Sequence, residues 1–208
     1  MCKLKSAIVL KDRIFMPEYD SHSDMLNELG IKDDYLGASK KFVRVELSPK
    51  DGNVFSDIDG WELIVDQDIR PEWFSEDECK PKMVEAVKEW AKTHIHIGVG
   101  GLKIESGKNH YIKDCKNVAI INSTVEAWDN STVKACDNST VKAWGNSTVE
   151  AWGNSTVMNN PYLTWHKQNA LVIADNATFK DKIGKVIYQS GSYKLISVES
   201  GKTIGEAK

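Results

Sequence analysis

The residues here whose types and spacing come nearest to catalytic chemistry are two histidines one residue apart, His94 and His96 in THIHIGVGG. On a strand, residues two apart point to one side, as two ligands of one metal ion must. His110, Asp114 or Cys115 would supply the third ligand. No HExxH run and no carboxylate partner stands at a recognised spacing, so a solvated strand face is the simpler reading, and no metal or other cofactor is expected. Asp57, Asp59 and Gly60 form D-x-D-G, and Asp66 and Asp68 form D-x-D. A calcium loop needs more oxygen ligands and a closing glutamate twelve positions from its start, and Glu62 is too close for that. Turn chemistry accounts for Asp59-Gly60.

Nucleophiles are equally isolated. Cys2, Cys79, Cys115 and Cys136 are scattered and make no CxxC pair, which speaks against a zinc ribbon or a redox dithiol. Cys115 stands near His110 in sequence, without a third group to orient the pair. The glycines of GVGG, residues 98–101, lack the Lys-Ser/Thr of a phosphate loop and the spacing of a dinucleotide fingerprint. No enzyme is expected. The alternative is a small-ligand or metal-binding enzyme in the N-terminal domain, centred on His94, His96 and the Asp57/Asp59 turn.

The elements that would position these residues are dominated by an internal repeat. From Asn122 the chain reads NSTVEAWD, NSTVKACD, NSTVKAWG, NSTVEAWG and NSTVM. Eight is even, so a strand keeps one face in every octad. Ser123, Val125 and Ala127 are small and mostly apolar and face inward; Thr124, Glu126 and Trp128 face outward. Asp-Asn and Gly-Asn pairs tolerate the left-handed backbone of a tight corner. Stacked strands of a β-solenoid follow. The corner asparagines also match the glycosylation sequon, but the corner explains them. Charge decides the coil length. Two octads per coil, 16 residues, stack Glu126 on Lys142 and Lys134 on Glu150, whereas three octads would stack Glu126 on Glu150. Opposite charges on adjacent strands contribute roughly 0.2–1 kcal/mol each. The same register sets Trp128 against Trp144, and Cys136 beside Trp152.

Residues 1–98 read differently. SAIVLKDRIFM predicts a hairpin turning near Lys11-Asp12, and Ser21 with Asp24 three residues on predicts a short capped helix ending at Gly30. FVRVELS and WELIVD alternate as strands, and a second helix is expected from Pro81 to about Lys92. The expected fold is thus an α+β N-terminal domain at 1–98, then a two-sheeted β-solenoid at 99–180. Its octads occupy 122–157, with an inserted loop at 158–168. A C-terminal β-hairpin cap, KVIYQ and YKLISV around SGS, and a loose tail complete residues 181–208. Charge follows the division. The first hundred residues hold 14 Lys/Arg and 20 Asp/Glu, and the remainder 13 and 10.

Several stretches carry a resemblance: VDQDIRPEWF, AVKEWAKTHIHIG, HYIKDCKNV and the run of NSTV-x-A-W/C-D/G octads. In them, residues 42–157 resemble a family of uncharacterised bacterial and phage proteins. The resemblance implies the solenoid architecture and the setting of a bacterial or phage-infected cell. It implies no activity, cofactor or catalytic residue.

Together these features predict a non-enzymatic interaction protein that presents a rigid solenoid face to a protein partner, possible self-association included. The resemblance adds a phage-type accessory role against a host factor. The expected partner-binding residues are Thr124, Trp128, Thr140, Trp144 and Trp152, with Tyr162, Trp165 and His166 from the inserted loop. Lys134 and Lys142 fall on opposite sheets, each matched by a glutamate, which argues against a nucleic-acid groove. No apolar run approaches the roughly 20 residues of a membrane helix. MCKLKSAIVL breaks into charge at Lys11 and does not read as a signal peptide, so a cytoplasmic protein with reduced thiols is expected.

Overall fold

The computed structural model describes residues 4–34, 40–105, 107–151 and 155–159, then the strands at 171–175, 178–181, 185–190, 193–197 and 203–207; at 108, 158–159 and in those later strands it describes the backbone alone. The chain forms two units, Met1–Thr93 and His94–Lys208.

In the first unit, β1 (Lys5–Leu10) and β2 (Ile14–Phe15) form the hairpin, closed by the Leu10 N–H donating to Arg13 O at 2.8 Å. The helix α1 (His22–Glu28) is capped by Ser21, whose Oγ accepts from the Asp24 N–H at 3.3 Å. Then come β3 (Phe42–Ser48), β4 (Glu62–Val65) and α2 (Glu76–His94). The sheet is antiparallel, in the order β2-β1-β3-β4. Alternation along β3 turns Phe42, Arg44 and Glu46 to one face and Val43, Val45 and Leu47 to the other. Ile8 and Phe42 pack with Met25 and Leu26 of α1, placing α1 on the first of these faces.

The helix α2 starts five residues before its expected Pro81 start. Ser75 is the residue that starts it: its carbonyl accepts from the Cys79 N–H at 2.9 Å and its Oγ from the Glu78 N–H at 3.4 Å. Ser75-x-x-Glu78 is a capping box, a stronger start signal than a proline. Pro81 therefore stands inside the helix, where it removes one backbone donor.

The second unit is a β-solenoid of about 16 residues per coil, with about four coils between residues 95 and 157. Its early strands are β5 (Ile95–Ile97), β6 (Lys103–Ile104), β7 (Gly107–Lys113) and β8 (Val118–Ile121). The octads supply β9 (Ser123–Trp128), β10 (Thr132–Cys136), β11 (Thr140–Ala143), β12 (Thr148–Ala151) and β13 (Thr156–Asn159). Alternate strands go to opposite parallel sheets. Thr140 pairs with Thr124 and Lys142 with Glu126 in one; Lys134 pairs with Glu150 in the other. This is the register that charge selected.

Inside the coils Val125, Ala127, Val133, Ala135, Val141, Ala143, Val149 and Ala151 form a narrow apolar core. Corners use the left-handed backbone at Asp129, Asp137 and Gly145 (φ 56°, 58° and 63°). Asp and Gly both tolerate that region, which explains why they share octad position eight.

The C-terminal expectation is corrected. β14 (Leu171–Asp175), β15 (Thr178–Asp181), β16 (Lys185–Ser190) and β17 (Tyr193–Ser197) continue the parallel stack. KVIYQ and YKLISV therefore lie in different sheets and do not form a hairpin. The cap is the pairing of β17 with β18 (Thr203–Ala207), which runs antiparallel and is drawn from the tail expected to be loose. Antiparallel pairing takes the tail onto the last edge without another coil.

Candidate functional site

The octad face carries most of the expected partner residues. Thr124 and Thr140 stack in register, half-buried, on the outer side of their sheet. Between Thr and Trp in each row stands a charge that is already matched: Lys142 Nζ lies 2.8 Å from Glu126 Oε1, and Lys134 Nζ 3.6 Å from Glu150 Oε2 on the other sheet. Trp128 and Trp144 stack at 4.7 Å between centroids with 14° between planes. Trp144 is nevertheless only 5% exposed, which corrects its expected place as a displayed aromatic. The stacking covers one face of each ring, and Trp128 stays half-buried beside Thr124, Glu126, Thr140 and Lys142. Trp152, Tyr162, Trp165 and His166 lie outside the described residues.

What keeps this face rigid is a set of buried serines. Ser131, Ser139 and Ser147 donate from Oγ to the carbonyls of Trp128, Cys136 and Trp144 at 2.7, 2.6 and 2.7 Å. Each corner carbonyl so engaged is satisfied inside the coil. Corner asparagines add a second ladder: Asn130 Nδ2 donates to Asp114 Oδ1 at 3.0 Å, and Asn138 Nδ2 to Asn122 Oδ1 at 3.3 Å. The invariant Asn and Ser of the octad were the signal for both roles. The serine's size accounts for its inward place, and its hydroxyl for the corner bond.

The histidine candidates arrange themselves otherwise than a metal site requires. His94 and His110 are both buried and stack in parallel, 4.8 Å apart with 10° between planes. Metal ligation uses lone pairs in the ring plane, and stacked rings send these along parallel planes. His96 pairs with Ile112 across β5 and β7. Its carbonyl accepts from Cys115 Sγ at 3.4 Å, as does Lys113 O at 3.4 Å, and Cys115 is fully buried. Cys79 is buried too, and burial pushes its pKa up from 9.0 to about 11.

The aspartates divide. Asp57 Oδ1 accepts from the Asp59 N–H at 3.2 Å, the expected turn chemistry, and Asp59 faces Lys88 Nζ at 2.8 Å. Asp66, just past β4, instead meets His22, which sequence reasoning had not singled out. Asp66 Oδ2 is 3.4 Å from His22 Nδ1, while His22 Nε2 is 3.1 Å from Val45 O. His22, Arg44, Asp66 and Asp68 help line a cleft of about 370 Å³ in the first unit. Arg44 is held there by Asp33 and by Asp34 O and lies over the Phe42 ring. Glu46 of β3 joins His22 and Asp66, the ligand atoms of the three lying within 4.8 Å of one another, and nothing in the spacing 22, 46, 66 marks this cluster, which is assembled by sheet register and by the seating of α1.

Compared with protein-family models, with curated proteins and with solved structures, the chain matches none.

Proposed function

We propose that the chain is a non-enzymatic interaction protein whose solenoid presents its outer face to a protein partner. The observation that supports this reading is the ladder itself. The Thr124/Thr140 row and the Glu126–Lys142 row repeat coil on coil over a backbone held by parallel pairing and by the corner serines. A face ordered before binding loses little conformational freedom on binding, so even modest polar contacts add up. The resemblance of the octads extends the reading to a phage-type accessory protein acting on a host factor.

The test uses variants that leave the core alone. Thr124→Arg with Thr140→Arg places two long cations on the outer row, whereas a Trp144 variant would disturb a buried ring. Purified wild type and double variant, both checked for β structure by circular dichroism, are used to capture partners from bacterial lysate. A single dominant protein that binds the wild type directly in purified form, and at least tenfold more weakly the double variant, supports the reading. Capture unaffected by the double variant, or no direct binder, sinks it. Sedimentation of the purified chain separates self-association from binding of another protein.

A further inference from the structure

We propose that His22, Glu46 and Asp66 bind one divalent transition-metal ion, with zinc as the ion to probe first. The three residues come from the first turn of α1, the middle of β3 and the position after β4. Their ligand atoms all lie within 4.8 Å of one another. Some point is then within about 2.8 Å of all three, against roughly 2.0–2.2 Å for zinc bound to histidine nitrogen or carboxylate oxygen. Small side-chain rotations close that difference.

Two features point to a cation at this point. The first is the tautomer of His22. Val45 O only accepts, so the ring nitrogen 3.1 Å from it carries the hydrogen. The lone pair of a neutral ring is then on Nδ1, which faces a carboxylate oxygen of Asp66 at 3.4 Å. Two acceptors face one another unless a proton or a metal ion lies between them. A histidine held by a backbone carbonyl through its far nitrogen is also the usual outer arrangement of a metal ligand.

The second feature is Glu46. It is 4% exposed, and among the described residues no hydrogen bond or ion pair reaches its carboxylate. A carboxylate on so enclosed a residue gains from a cation beside it. A proton on His22 would satisfy Asp66 and leave Glu46 as it is. A divalent cation satisfies all three groups, and with a neutral imidazole the charges sum to zero. Backbone pairing holds the ligands in place: the Asp66 N–H donates to Arg44 O at 2.9 Å, and Glu46 pairs with Ser6 and Ile64 in the sheet. Three protein ligands leave a coordination position for water on the side of the cleft.

The experiment is calorimetric titration of the full chain, first stripped with a chelator, with zinc chloride. The variants are Asp66→Asn, Glu46→Gln and His94→Ala, each checked for fold by circular dichroism. Asp66 is largely exposed, so Asp66→Asn is the variant expected to fold as the wild type does. The expected result is one ion per chain, with affinity lowered at least about tenfold in Asp66→Asn and Glu46→Gln and unchanged in His94→Ala. Cobalt in place of zinc should show no thiolate charge-transfer band. No binding by the wild type, binding indifferent to Asp66→Asn, or a thiolate band from a cysteine site would each overturn the proposal.

Discussion

Gly145 shows how strongly a single corner constrains its residue. Its φ is +63°, and a Cβ there would stand 3.1 Å from Asp129 Cα and 3.2 Å from Asp129 N. Both neighbours are backbone and cannot swing aside. Gly145→Ala should therefore destabilise the chain by about 1–3 kcal/mol, the range for a strained non-glycine residue in this region. Asp137→Gly, at an exposed corner of the same hand, should stay within about 0.5 kcal/mol. Urea denaturation followed by circular dichroism compares the two, and equal losses would mean that close approach does not set the Asp/Gly alternation. The same scale explains why the corners could be read from the octads, since left-handed tolerance is a property of single residue types. The His22 site could not be read this way. Histidine, glutamate and aspartate are ordinary surface residues until register makes them neighbours.

At the scale of strands, stacking i on i+16 turns charge into a register gauge. Lys142 Nζ lies 2.8 Å from Glu126 Oε1, and the Glu126 side chain is 18% exposed. Lys134 and Glu150 are 3.6 Å apart and more open to solvent. The first pair should contribute more, because water screens it less. Glu126→Lys should lower stability, and Lys142→Glu added to it should restore most of the loss, with a coupling of about 0.5–1 kcal/mol. A double-mutant cycle in urea measures this, and absence of rescue would contradict the pairing. The helix α2 makes the complementary point. Its sequence offers two start signals, the capping box of Ser75 and Glu78 and the proline at 81, and the helix uses the first. Local signals compete, and the carbonyl and hydroxyl of Ser75 give the nascent helix two bonds where the proline ring gives none.

For the whole molecule, a solenoid adds nearest-neighbour terms, so its length can change if its phase does not. Deleting residues 130–145 removes one full coil and leaves every later strand on its own sheet. That variant should fold, with a lower transition midpoint. Deleting only residues 130–137 sends each later strand to the opposite sheet and stacks Glu126 on Glu150. It should be the less stable of the two although it is the shorter deletion, and thermal denaturation followed by circular dichroism would show the order. The reverse order would refute two octads per coil. Period, inward face, corner chemistry and coil length were all determined by the sequence, because a repeat lets one local rule be checked against its own copies. The tertiary structure alone decided the rest: the burial of Trp144 in its ladder, the antiparallel return of the tail, and the meeting of His22, Glu46 and Asp66. Each of these depends on which distant segments become neighbours, and pairing across a sheet is set by the packing of the whole chain, on which residue spacing has no hold.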